Sequence, residues 1–215
     1  FGNPENPQVM GEFVVCLLGI KEACEFLDYP VVSGNVSLYN GTNKKSIHPT
    51  PVIGGVGLIV NFENKINQYL KKDGNTIIQI GKNFGHLSQS IFLEVIHSII
   101  DGPPPEINLS NEKNNGLAVL KLINDKLVSS VHDISSGGLL VTLAEMTFKS
   151  DFGVKINKPK NLSNLMEYYF SEDQGRYLLE IQPNNLNIVS KFLNENNIFY
   201  TTIGTVQSDY FEVTG

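Results

Sequence analysis

The chain has 215 residues, 41% hydrophobic and 18% charged, which is ordinary globular usage and enough for one large domain or two small ones. The 16 Lys and Arg against 22 Asp and Glu leave a formal charge of -6, with no basic cluster of the kind that grips nucleic acid. No apolar run approaches a membrane span, and the two cysteines, Cys16 and Cys24, fit neither a zinc spacing nor a disulfide framework.

Phe1 to Asn6 is a Gly/Pro/Asn-rich loop. Met10, Phe13, Val14, Leu17, Leu18, Ala23, Cys24 and Leu27 then recur at helical spacing, which predicts a helix from Pro7 to Leu27. Both cysteines fall on its apolar face, so buried free thiols in a reducing compartment are expected.

Pro30 to Asn40, PVVSGNVSLYN, reads as a strand that carries small polar residues where apolar ones would pack better. Gly34 lets a ligand or another backbone approach closely. Asn35 offers a neutral carbonyl oxygen of the kind a hard cation such as Mg²⁺ takes. On a strand, Ser37 shares a face with Asn35, so an amide and a hydroxyl would meet a phosphorylated ligand together. Spacing alone also fits a polar edge strand entering a hairpin at Asn40-Gly41. A second strand is expected over Val52 to Asn61, with Gly54, Gly55 and Gly57 inside it.

Glu63 to Gly74 is polar and charged, and the domain boundary is placed there, giving 1–70 and 71–215. Beyond it, strands are expected at Thr76–Gly81, Val128–Asp133, Phe152–Ile156, Arg176–Ile181 and Phe199–Val206. Helices are expected at Leu87–Ile100, Leu117–Leu127, Gly137–Phe148 and Leu186–Asn194. This alternation makes the second part α/β (α+β) in class.

Two further stretches hold polar chemistry. In VHDISSGGLLVTLAEM a strand ends at His132-Asp133, and Ser135, Ser136, Gly137 and Gly138 lead into a helix. Backbone N–H groups at such a turn make an anion site, and a capped turn without a ligand fits as well. His132 and Asp133, adjacent on a strand, point to opposite faces and are not expected to form a dyad. In FSEDQGR, residues 170–176, two acids, an amide and a cation share a short loop, and a solvated turn with a local Arg–Glu pair is the expectation.

FGNPENPQVMGEF, PVVSGNVSLYN, PTPVIGGVGL, VHDISSGGLLVTLAEM and FSEDQGR together resemble the formylglycinamidine ribonucleotide synthase family (phosphoribosylformylglycinamidine synthase), in the small, multi-subunit form of its synthetase subunit. The segments occur in family order over nearly the whole chain. The resemblance implies an aminoimidazole ribonucleotide synthetase-like fold. Residues 1–70 would be a partial second A domain and 71–215 the second B domain of a longer polypeptide, an expectation shared by the opening on Phe1.

It also implies an ATP-dependent ligase of purine biosynthesis, with the catalytic His in a part this chain lacks. By position, Gly34 would contact ATP, Asn35 would ligate Mg²⁺ and Ser37 would touch substrate. Ser135, Ser136, Gly137 and Gly138 would line an auxiliary phosphate loop. Implied partners are the N-terminal half of the same chain, a glutaminase subunit and a small bridging subunit, in the cytoplasm. Asn108 stands where the family commonly has Asp, which weakens an acid contact there.

The chain alone is expected to be inactive. An alternative is a non-catalytic module that binds an auxiliary nucleotide and docks subunits. A related kinase acting on selenophosphate or thiamine phosphate chemistry is a third reading, disfavoured by FGNPENP and SGNVSLYN.

Overall fold

The computed structural model describes residues 1–43, 45–159, 164–208 and 210–214. The chain divides into two compact units, Phe1–Leu58 and Ile59–Gly215.

In the first unit, α1 spans Pro7–Leu27, as its spacing predicts. Asn6 caps it by accepting from the Gln8 N–H at 2.9 Å, and Pro7 supplies a preset φ at its start. Asp28 ends it in the left-handed region, φ 57°, with its N–H returned to Cys24 O. Val9 is the one fully buried side chain among the described residues of α1. Cys16 and Cys24 are free and half-buried, not sealed as expected, because the face that holds them is left largely open.

The two long strands expected here are not formed. The ladder among the described residues of this unit is a short antiparallel pair, β1 (Gly41–Thr42) and β2 (Lys45–Ser46), so Asn40-Gly41 enters the hairpin and does not make its turn. Residues 30–40 and 52–59 run without ladder bonds, and Val32 and Val56 are 89% and 91% exposed. A strand is stable only against a neighbour that takes its N–H and C=O groups, and none of the described residues does so. The argument that Asn35 and Ser37 share a strand face therefore does not apply here.

The second unit is a six-stranded sheet with helices on both faces. Its strands are β3 (Thr76–Ile80), β4 (Ser130–Asp133), β5 (Gly153–Asn157), β6 (Tyr177–Ile181), β7 (Tyr200–Gln207) and β8 (Glu212–Thr214). The order is β4-β6-β3-β7-β5-β8, antiparallel throughout except for β5 with β8. The α/β composition expected beyond the boundary is thus observed.

The two-residue period sorts each strand between two cores. Ile77 and Leu178 point to one, with Leu139, Leu143 and Met146 of α4 (Gly138–Thr147) and Tyr169 of α5 (Leu165–Phe170). Ile78, Ile80, Leu179 and Ile181 point to the other, with Val119 and Leu122 of α3 (Leu109–Asn124) and Val189 and Leu193 of α6 (Pro183–Glu195). Every residue of β3 is buried, as a central strand covered on both faces requires.

The helix α2 is shorter than its apolar pattern predicts, Ile91–His97, and stops where Ser98 turns left-handed, φ 55°. In contrast, α3 starts eight residues earlier than its apolar pattern, because Asn108 caps it by accepting from the Asn111 N–H at 2.9 Å. The polar stretch before β3 holds a short 3-10 turn at Phe62–Asn64, and its Leu70 is buried with its N–H on Met146 O. Helix α5 and strand β8 have no counterpart among the expected elements.

Candidate functional site

Gly34, Asn35 and Ser37 all face solvent in the first unit, and nothing lies within 4 Å of a Cβ built on Gly34. The Asn35 amide is therefore open to a ligand. The Ser37 carbonyl oxygen accepts from the Phe1 amino group at 3.0 Å, leaving its hydroxyl exposed. An exposed amide oxygen fits as one of the few protein ligands that Mg²⁺ takes beside water and phosphate. Among the described residues, no group of three or more His, Cys, Asp or Glu side chains is placed to hold a metal ion.

The second unit carries a cavity of about 370 Å³ where β4 and β6 meet the loops before α2 and α4. Ser135 and Ser136 are on its wall, together with Gln89, Glu112, Asp133 and residues 172–177. Both serines are exposed, whereas Gly137 and Gly138 are buried. The two glycines have φ of +83° and +71°, conformations that L side chains rarely adopt. Gly138 also packs against the 170–171 backbone so closely that a Cβ there would lie 2.6 Å from Ser171 O. Neither serine caps α4: its N-cap is Gly137, without a side-chain cap bond of its own.

The group that does meet this helix start is Glu172. Its Oε1 accepts from the Gly137 N–H at 2.7 Å and from the Ile91 N–H at 2.9 Å, at the starts of α4 and α2. Asp173, 4% exposed, accepts from the N–H groups of Phe84, Gly85 and His86. Arg176, 1% exposed, donates to Ser171 O at 2.6 Å and Asp173 O at 3.0 Å, while its Nη1 is buried without a partner. Burial lowers the Arg176 pKa, against the opposing pull of Asp173, Glu172 and Tyr168. Asn115 Nδ2 donates to Gly175 O at 2.8 Å, and burial raises the Glu112 carboxyl above its usual range, opposed by a hydrogen bond from the Gly175 backbone.

The 170–176 loop is thus a buried knot, not the solvated turn with an Arg–Glu pair that its sequence suggests. Its charges look like surface residues in one dimension. Only the convergence of three loops gives them buried donors and carbonyls. Another buried acid went unnoticed in the sequence, although a lone Glu in YLLEI is a legible signal. Glu180 is fully buried and accepts from the Lys71 and Lys72 N–H groups, Asn75 Nδ2 and Ser130 Oγ.

His132 and Asp133 do meet, Nδ1 to Oδ1 at 3.2 Å, because Asp133 is the last residue of an edge strand and its exposed side chain curls back. His132 Nε2 also lies 3.0 Å from Glu145 Oε2 of α4, so the imidazole ties strand to helix as a structural group. His86 Nε2 lies 2.9 Å from Pro103 O and fastens the proline segment.

A mixed sheet flanked by helices, with a loop-walled cavity at its strand ends, defines the second unit as an α/β domain of the ligand-cleft type. The chain belongs to the AIR synthase-related family: the description "AIR synthase related protein, C-terminal domain" matches residues 72–214.

Relatives over the whole chain carry a more specific name. It is 49% identical over 209 residues to the phosphoribosylformylglycinamidine synthase subunit PurL of Pelagibacter ubique, covering 97% of this chain and 29% of that protein. It is 46% identical to the PurL of Bartonella bacilliformis over 99% of this chain and 29% of that one. The chain therefore spans under a third of the length of these curated relatives.

Among solved structures, PurL of Thermotoga maritima complexed with ATP is similar with a TM-score of 0.57 at 17% identity, over 72% of this chain and 25% of that one. HypE of Escherichia coli, a hydrogenase maturation protein, is similar with a TM-score of 0.52 at 15% identity, over 70% of this chain and 49% of that one. These likenesses establish the fold.

Proposed function

We propose that this chain is part of an ATP-dependent C–N ligase of purine biosynthesis. ATP activates the formyl amide oxygen of formylglycinamide ribonucleotide, and ammonia then displaces phosphate to leave formylglycinamidine ribonucleotide. The observation that carries this reading is the 49% identity, across 97% of the chain, to a phosphoribosylformylglycinamidine synthase subunit. Residues 1–70 belong in this reading to a second A domain and 71–215 to a second B domain.

Gly34 gives ATP a wall without a side chain, Asn35 presents its amide oxygen to Mg²⁺, and Ser37 presents its hydroxyl to the substrate. Their exposure in the first unit is consistent with these roles. Magnesium, when bound, bridges phosphate oxygens and offsets the charge that develops on phosphoryl transfer. The remaining ligands, the catalytic base and most substrate contacts come from the longer part of the synthase. A glutaminase subunit supplies ammonia and a small third subunit bridges the complex, in the cytoplasm.

Ammonia-dependent ADP release tests the proposal. The 215-residue chain alone gives no turnover, and turnover by it alone refutes this division of labour. In the complete synthase, Asn35→Ala lowers kcat/KM for Mg·ATP by about tenfold or more, the scale seen when a metal site loses a supporting group. Unchanged ATP kinetics would remove Asn35 from the site.

A further inference from the structure

Glu172 stands where an outside anion would have to go. The start of α4 carries free backbone N–H groups and the positive end of a helix dipole, which is why the Ser135–Gly138 turn reads as a phosphate loop. The Gly137 N–H is already taken by Glu172 Oε1 at 2.7 Å, and the same oxygen takes the Ile91 N–H at 2.9 Å. One carboxylate oxygen therefore serves the starts of two helices at once.

The backbone on either side of Glu172 is held. Its own N–H donates to His86 O at 3.1 Å. Asp173 is locked onto the N–H groups of Phe84, Gly85 and His86. On the preceding side, Gly138 packs against Ser171 O and Phe170. Glu172 is thus a fixed part of the cavity wall.

The rest of the wall also disfavours an anion. Glu112, Asp133 and Asp173 line it beside Glu172, and Arg176, the single cation among its lining residues, is turned onto the carbonyls of Ser171 and Asp173. A phosphate placed at Gly137 would lose its best donor to Glu172 and meet a like charge at contact distance.

We infer that Glu172 is an intramolecular competitor for phosphate, which closes the Ser135–Gly138 turn to outside anions while its carboxylate is in place. The serines then face a cavity that does not take a phosphate through the helix start. Removing the carboxylate opens the site.

The test is a titration of the ¹⁵N-labelled 215-residue chain with inorganic phosphate, following the Gly137 and Ser136 amide resonances. In the wild-type chain these resonances stay in place at millimolar phosphate. In Glu172→Ala they move and saturate, and adding Ser136→Ala weakens the effect. Glu172→Gln keeps the shape and an acceptor oxygen but drops the charge. It secures the comparison if the alanine variant does not fold, and it binds phosphate at least about tenfold more tightly than wild type, a difference of about 1.4 kcal/mol. Equal shifts in wild type and variants overturn the inference, and so does the absence of shifts in all of them. The readout requires neither ATP nor turnover, so either result leaves the synthase reading standing or falling on its own experiment.

Discussion

At the scale of single residues, buried acids organise the second unit. Glu180 gathers four different donors from three segments into one side chain that water cannot reach. Each donor left unsatisfied after burial costs about 1–3 kcal/mol. Glu180→Ala should therefore lower the unfolding free energy by at least about 3 kcal/mol, read from urea denaturation, with little change in the exposed loops.

The tyrosines give a pH signature. Burial pushes the Tyr168 phenol up to about 12, the neighbouring Tyr169 adds to the rise, and Arg176 opposes it. The folded state therefore favours the neutral phenol. That contribution is complete below pH 10, the ordinary value, and is lost as the pH climbs toward about 12. Tyr168→Phe should unfold less steeply across this window in thermal melts. Tyr169 and Tyr177, also raised by burial, account for slope that remains.

At the scale of elements, helices with strong ends were legible and partnerless strands were not. The ends of α1 are written locally, in Asn6-Pro7 at the start and Asp28 at the close, and its observed span is the expected one. Apolar runs located β3, β4, β5, β6 and β7 to within two residues at either end. The start of α3 was missed because SNEKNN has no apolar period, and the Asn108 cap outweighs that lack. Residues 30–40 and 52–61 carry strand-like composition, yet β propensity acts only through neighbours. Amide hydrogen exchange should show residues 30–36 and 52–59 open on the shortest accessible times, while β3 and β6, paired on both sides, are protected to near the global unfolding limit. Protection of residues 52–59 comparable to β3 would contradict the unpaired state seen here.

At the scale of the whole molecule, the amino-acid order by itself determined the α/β class of the second unit, the limits of its major elements and the family. Those rest on local signals such as caps, apolar period and contiguous motifs. It also singled out Gly34, Asn35 and Ser37, whose part in catalysis awaits kinetics of the complete synthase. Only the tertiary structure decided what the charged loop 170–176 does. Glu172 reaches Gly137 across 35 residues and Glu180 reaches Lys71 across 109. Such pairings arise when a sheet brings distant loops together, because the value of a buried charge is set by the donors that converge on it and not by its neighbours in the chain.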